Sequence, residues 1–148
     1  MAKGGPCSQE SVPEESVRDA IEQACLRELE ALKPGNVHVH AEGHGMTVDD
    51  FKASAAIAGA YLSRRSLSVG EKILRAVEDS VASVGCNTNL GIVLLCAPLA
   101  QAALAEGEGT LRQRLDRVLR SLSVDDARAV YKAIRIASPA GLGASPEH

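Results

Sequence analysis

The sequence predicts an all-α fold, a bundle of about six helices with one hydrophobic helix at its centre. Apolar residues recur at intervals of three and four in six segments, which is the period of an amphipathic helix. Serine or threonine stands three residues before an acidic residue ahead of several segments, a spacing typical of a capping box. Only three of the 148 residues are aromatic, so the core must be built from small aliphatic side chains that let helices approach closely.

The helix boundaries follow from the capping pairs and the helix breakers. The predicted capping pairs are Ser11 with Glu14, Thr47 with Asp50, Ser68 with Glu71, and Ser123 with Asp126. Pro34-Gly35 ends the first helix, Gly85 ends the third, and Thr110 begins the fifth. The fourth helix, Leu90 to Leu104, is apolar nearly all round, and we expect it to be the central and most buried helix.

Domain organisation is simple. Residues 1–10 are polar and contain glycine and proline, which predicts a disordered N-terminal lead. Residues 11–148 form one helical domain, long enough to bury a real core.

Charge and hydropathy exclude two classes of partner. The net charge is −3 and no basic cluster exceeds Arg64-Arg65, so we expect no nucleic-acid binding. The longest apolar run, residues 90–105, is interrupted by Pro98 and Gln101 and is too short to span a bilayer, so we expect no membrane segment. Four cysteines without CxxC spacing, and no secretory signal, predict reduced thiols and a cytoplasmic protein.

Two polar segments, residues 33–46 and 85–91, do not fit a packing argument. Each is rich in glycine, asparagine or histidine, and each precedes a helix whose N-terminal N–H groups can hold an anion. If the second and third helices form an antiparallel hairpin, the two segments lie at the same end of the bundle. We therefore predict one anion-binding pocket between them.

The first segment supplies candidates for binding and proton transfer. Lys33, Gly35 and Asn36 are predicted to bind a nucleotide, although a lysine at a helix end also complements the helix dipole. His44 lies between two glycines that let a ligand approach, and it is predicted to be catalytic; the alternative is a turn histidine facing water. His38, His40 and His44 together also have the residue types of a three-histidine zinc site. No carboxylate–histidine pattern accompanies them in the sequence, so this alternative has no further support.

Asp49 and Asp50 begin the second helix, and Asn87, Thr88 and Asn89 precede the fourth. Asp50 is predicted to act as a catalytic base or, like Asp49, as a ligand of Mg²⁺; the alternative for Asp50 is capping alone. The three residues before the fourth helix are predicted to bind the nucleotide, with one asparagine serving as the N-cap.

Four stretches of the sequence also carry a family pattern. They are KPGNV at 33–37, GHGMTVDDF at 43–51, VGCNTNLGIVLLCAPLA at 84–100 and VYKAIRIASPAGLG at 130–143. In content, order and spacing they resemble the N-terminal half of the triphosphoribosyl-dephospho-CoA synthase family. The NTNLG wording, where citrate and malonate lyase members carry an NTHKG-like segment, looks more like the branch found in methylotrophs beside tetrahydromethanopterin-linked genes.

The resemblance implies an all-helical transferase that uses ATP as a substrate together with Mg²⁺. Such an enzyme moves the triphosphoribosyl group to the 2'-hydroxyl of 3'-dephospho-CoA and releases adenine. Two alternatives stay open: a coenzyme-biosynthesis protein of tetrahydromethanopterin-linked one-carbon metabolism, or a non-catalytic helical subunit or scaffold. Because members of the family continue beyond the length of this chain, we expect a second copy or a partner chain to complete the pocket.

Overall fold

The computed structural model describes residues 12–30, 47–86 and 88–139, and within these ranges it contains six α-helices and no strand. The predicted all-α bundle is confirmed. The helices are α1 (Glu14–Glu30), α2 (Val48–Leu62), α3 (Val69–Val84), α4 (Leu90–Leu104), α5 (Leu111–Arg120) and α6 (Val124–Ala137).

Helix starts follow the predicted capping chemistry. A reciprocal capping box, in which the N-cap hydroxyl and the third helical side chain satisfy each other's backbone N–H groups, begins α2, α3, α5 and α6. Gly85 ends α3 with φ of 77°, a left-handed conformation that glycine adopts without strain. Ser11 of the predicted pair with Glu14, the stop at residues 34–35 and the lead at 1–10 lie outside the described residues. Glu14 is the first residue of α1, and its Oε1 accepts a hydrogen bond from the Arg65 backbone N–H at 2.6 Å.

Hydrogen bonds between helices define the two ends of the bundle. At one end, which we call the Arg65 end, the Arg65 side chain donates to the backbone carbonyls of Val12 and Leu104. The start of α1, the link from α2 to α3 and the end of α4 therefore meet there. The start of α2 and the start of α4 meet at the opposite end, which we call the Asn89 end.

α3 and α6 run side by side from a close contact at their first turns. The Gly70 N–H donates to Asp126 Oδ1 at 2.8 Å, and a Cβ on Gly70 would lie 2.5 Å from Asp126 Cα. Burial of the Asp126 carboxyl acts to raise its pKa, but hydrogen bonds from Ser123, Gly70 and Ser68 outweigh it and lower the pKa to about 2. Only glycine at position 70 lets the two helices approach this closely.

The expectation that α4 is the most buried helix is wrong. α3 buries seven of its 16 residues, whereas α4 buries five of 15. Leu95 and Leu99 on α4 are 71% and 40% exposed. α4 contacts four helices, α1, α2, α3 and α5, but they cover only part of its circumference, whereas α3 buries more of its residues between α2, α4 and α6.

One side of the bundle, which we call the apolar face, remains open. A groove of about 390 Å³ between α3, α4, α5 and α6 is lined by Leu94, Pro98, Leu119, Leu122, Val130 and Tyr131, among others. α5 borders this groove and contains no buried residue, although its sequence is strongly amphipathic. Its attachment to α4 includes a hydrogen bond from Arg114 Nε to the Ala102 carbonyl at 3.0 Å.

The Arg65 end also contains a charged side chain in the core. Lys72 is fully buried, and its Nζ donates to Gln101 Oε1 across the α3–α4 contact. Burial lowers the pKa of Lys72 to about 8, with Glu14 opposing and Arg65 reinforcing the shift. None of the six described helices is both long and apolar enough to cross a membrane.

Candidate nucleotide-binding site

Four of the predicted site residues fall within the described ranges, and all four lie at the Asn89 end. They are Asp49 and Asp50 on α2, and Thr88 and Asn89 before α4. The other predicted site residues lie outside the described ranges, and so do the two histidines of the zinc alternative: Lys33, Gly35, Asn36, His38, His40, His44 and Asn87.

Asp50 is committed to the cap of α2. Its Oδ2 accepts hydrogen bonds from the Thr47 backbone N–H and hydroxyl, both at 2.8 Å, and its own N–H donates to Thr47 Oγ1 at 3.2 Å. The bonds from Thr47, led by that from its N–H, lower the pKa of Asp50. A carboxylate with a lowered pKa is a poorer proton acceptor, whereas it keeps the negative charge that a cation requires.

Asp49 presents its carboxylate to solvent. Its side chain is 88% exposed and forms an ion pair with Lys52 Nζ at 3.2 Å. Exposed pairs of this kind contribute little to stability, at most about 1 kcal/mol. The carboxylate is therefore available to a ligand at small cost.

A chain of hydrogen bonds joins the turn before α4 to the first turns of α2. Thr88 Oγ1 donates to Ser54 Oγ at 2.6 Å, and Ser54 Oγ donates to the Asp50 backbone carbonyl at 2.9 Å. In parallel, Asn89 Nδ2 donates to the Ser54 carbonyl at 3.2 Å. Ser54 is fully buried and Asn89 is 6% exposed, so the bond between them is shielded from water, and the bonds from Thr88 to Ser54 and from Ser54 to Asp50 are partly buried.

These contacts bring the start of α2 and the 88–89 turn together, as the hairpin argument predicts for the described parts of the two segments. Asn89 is the N-cap residue of α4, but its side chain makes no capping hydrogen bond because its amide is turned to Ser54. Ser54 was not identified from the sequence. Its position one turn after Asp50, on the apolar side of an alanine-rich helix, is the signal that could have found it.

The start of α4 favours the approach of an anion. Its first turn contains no acidic residue, in contrast to α2, α3 and α6. Gly91 is exposed, and a Cβ placed there would meet no atom within 4 Å. The positive end of the α4 dipole therefore favours a negatively charged ligand, whereas at the adjacent start of α2 the carboxylates of Asp49 and Asp50 oppose an anion and favour a cation.

Comparison with known proteins identifies the family. Residues 14–148, about nine-tenths of the chain, match CitG, described as ATP:dephospho-CoA triphosphoribosyl transferase. The chain belongs to the ATP:dephospho-CoA triphosphoribosyl transferase family. No curated protein and no solved structure matches the chain.

Membership confirms the function implied by the sequence stretches quoted above. The family transfers the triphosphoribosyl group of ATP to dephospho-CoA, so a small-molecule nucleotide is the substrate. The tetrahydromethanopterin-linked branch and the non-catalytic scaffold are not favoured by this match.

Proposed function

We propose that this transferase binds the triphosphate of ATP at the Asn89 end, between the first turn of α2 and the turn before α4. The observation that carries the proposal is the pair of hydrogen bonds from Thr88 and Asn89 to Ser54, because they join two segments that both precede a helix N-terminus. Dephospho-CoA would then present its 2'-hydroxyl to C1' of the ATP ribose, and adenine would leave.

Mg²⁺ is proposed to accompany ATP. Among the described residues, no three of the types His, Cys, Asp and Glu come together, so a cage made by the protein alone has no support there. Mg²⁺ commonly needs only one or two carboxylates in addition to phosphate oxygens and water, and Asp49 fits that requirement. Asp50 follows about 100° further round the helix, so a single ion would use one carboxylate or the other.

His44 and Asp50, the predicted catalytic residues, are proposed to take the proton of the attacking 2'-hydroxyl, and the departing adenine is proposed to receive a proton in return. His44 is the better proton acceptor on chemical grounds because an imidazole titrates near neutral pH, whereas the capping bonds weaken Asp50 as a base. Lys33, Gly35 and Asn36 are proposed to bind the phosphates from the segment before α2. Asn87 is proposed to reach the ribose beside Thr88 and Asn89.

Self-association is also proposed, with a second copy of the chain as the occupant of the apolar face. Leu119, Leu122 and Tyr131, which line the groove of this face, are 50%, 43% and 67% exposed. Apolar patches above a few hundred Å² commonly mark protein interfaces, and a stable dimer buries about 800 Å² on each partner. Light scattering should find a dimer at micromolar concentration and a monomer for Leu119→Lys; a monomeric wild-type chain would contradict the proposal.

The cytoplasm is the proposed location. ATP is supplied there, and the free thiols of Cys25, Cys86 and Cys96 would stay reduced.

The test of the activity is adenine release. The purified chain would be incubated with ATP, Mg²⁺ and dephospho-CoA, and free adenine and the 2'-linked product would be measured by chromatography with mass detection. Equal amounts of the two are expected. A folded chain, at the concentration of its proposed dimer, that releases no adenine would refute the proposed activity.

The chain contains a matched control for the proposed metal ligand. Val-Asp-Asp begins both α2 and α6, and Asp125 has the same helix position and the same type of ion pair as Asp49, here with Arg128 at 2.8 Å. Asp49→Ala should weaken the binding of Mg·ATP in calorimetry by about tenfold, whereas Asp125→Ala should leave it unchanged. Equal affinities in the two variants would remove Asp49 from the site.

A further inference from the structure

The Ser54 hydroxyl is a polar group on the buried side of α2, where the other buried residues are Ala55, Ala58, Gly59 and Leu62. α2 has the sequence VDDFKASAAIAGAYL, and Ser54 is its one fully buried hydroxyl side chain. Alanine would fit the same space, and serine has the lower helix propensity by roughly half a kcal/mol. Stability of α2 alone therefore gives no reason for a serine at this position.

The hydrogen bonds of Ser54 supply the reason. Its hydroxyl accepts from Thr88 and donates to the Asp50 carbonyl, so the three groups form one directed chain between two segments 34 residues apart. Its carbonyl accepts from the Asn89 amide, which adds a second point of attachment. A chain of buried hydrogen bonds is directional, whereas apolar contacts would let the two segments slide.

Ser80 on α3 shows what a buried serine without such a role looks like. It is 3% exposed, and its Oγ is the one buried side-chain polar atom among the described residues that has no hydrogen-bond partner. The two serines are similar in burial and differ in partners. Ser80 therefore shows only that a small residue fits its position, whereas the two hydrogen bonds of the Ser54 hydroxyl indicate a specific arrangement at position 54.

We infer that Ser54 and Thr88 are positioning residues for the transfer reaction. They hold the carboxylate-bearing first turn of α2 in fixed register against the turn before α4. The inference rests on the proposed function and adds to it: Ser54 has no assigned contact with ATP, and Thr88, which is proposed to lie at the ribose, gains a second task within the protein. The donor hydrogen of each hydroxyl is already used within the protein, so each acts through the backbone that it orients.

The expected effect is a loss of rate in a chain that stays folded. A displacement of about 1 Å between reacting groups can cost roughly 100-fold in rate, whereas loss of one hydrogen bond removes only part of the net stability of a domain. Positioning acts in the transition state more than in the ground state, so kcat should fall further than KM for ATP rises.

The experiment compares Thr88→Val, Thr88→Ser and Ser54→Ala in the full chain. Thr88→Val keeps the shape and removes the donor, and Thr88→Ser keeps the donor. We expect Thr88→Val and Ser54→Ala to lower kcat at least tenfold with KM for ATP within threefold of wild type. Thr88→Ser should retain at least half of the wild-type kcat.

Two controls separate positioning from loss of stability. Ser80→Ala removes a buried hydroxyl that has no hydrogen-bond partner, and Ile73→Val destabilises the fold modestly by removing one methylene from the core of α3. Both should keep wild-type kcat at a temperature where every variant is folded by circular dichroism.

Each outcome is decisive. If the wild-type chain releases adenine and Thr88→Val behaves like Ile73→Val, the positioning inference is overturned while the proposed function stands. If Thr88→Ser is as slow as Thr88→Val, the hydroxyl is not the determining group and the inference is likewise overturned. A wild-type chain that releases no adenine instead removes the proposed function on which the inference rests.

Discussion

Replacement of Gly70 by alanine tests the packing of α3 on α6. The new Cβ would lie 2.5 Å from Asp126 Cα and 2.7 Å from the Asp126 carbonyl oxygen. Both are backbone atoms, so no side-chain rotation relieves the overlap and the helices must separate. Overpacking of this kind costs about 1–3 kcal/mol.

Separation also weakens the hydrogen bond from the Gly70 N–H to the Asp126 carboxylate, now 2.8 Å long. A bond to a charged acceptor contributes about 1.5–3 kcal/mol. Alanine returns up to about 1 kcal/mol through its higher helix propensity. With the bond partly retained, the free energy of unfolding should fall by about 2–3 kcal/mol.

Gly91 provides the matched control because it occupies the same position, second in its helix, with no atom near the place of a Cβ. Gly91→Ala should leave stability unchanged or raise it by up to about 1 kcal/mol. Urea denaturation measures the free energy of unfolding of both variants, and the two can be compared if its dependence on urea concentration has the same slope in each. If Gly70→Ala proves as stable as Gly91→Ala, the close backbone contact between α3 and α6 does not exist in solution.

Three further results are expected. Lys72 has a pKa of about 8 in the folded chain against an ordinary 10.5, so between these pH values the unfolded state binds more protons than the folded state. The stability of wild type relative to Lys72→Met should therefore rise as pH increases from about 8 to 10.5. Urea titrations should show a rise of at most about 3 kcal/mol. A constant difference would refute the assignment. Asp126, with its pKa lowered to about 2, stabilises the fold above about pH 4, and the advantage of wild type over Asp126→Asn should shrink between about pH 4 and 2; an advantage that persists at pH 2 would contradict this. Burial raises the pKa of the Cys25 thiol to about 11, so Cys25 should react with a disulfide reagent only after unfolding, while the partly exposed Cys86 reacts in the native state; mass spectrometry of labelled peptides showing rapid modification of Cys25 would refute its burial.

Helix starts were predictable because capping is a local interaction. Thr47, Ser68 and Ser123 satisfy N–H groups only three residues away, so the sequence contains both partners of each bond. The position of α4 was not predictable in this way. An apolar circumference shows that a helix tolerates burial on every side, and it does not show which neighbours the chain provides.

The same distinction between local and tertiary interactions applies to the candidate site. Asp50 was open to capping and catalytic interpretations, and the structure shows the cap, which uses nearby atoms. The partnership of Ser54 with Thr88 and Asn89 depends on tertiary contact across 34 and 35 residues, and no local rule gives it. The family motif includes Thr88 and Asn89, and the fold adds that both donate hydrogen bonds to Ser54.

α5 has a consequence for the dynamics of the chain. A helix with no buried residue loses little apolar contact when it detaches, so its local opening should require far less free energy than global unfolding. Gly107 and Gly109, both with positive φ, precede it and leave the adjoining link easy to rearrange. Amide hydrogens of α5 should therefore exchange with solvent long before those of α3, and the link at 106–109 should be the preferred site of limited proteolysis within the described residues.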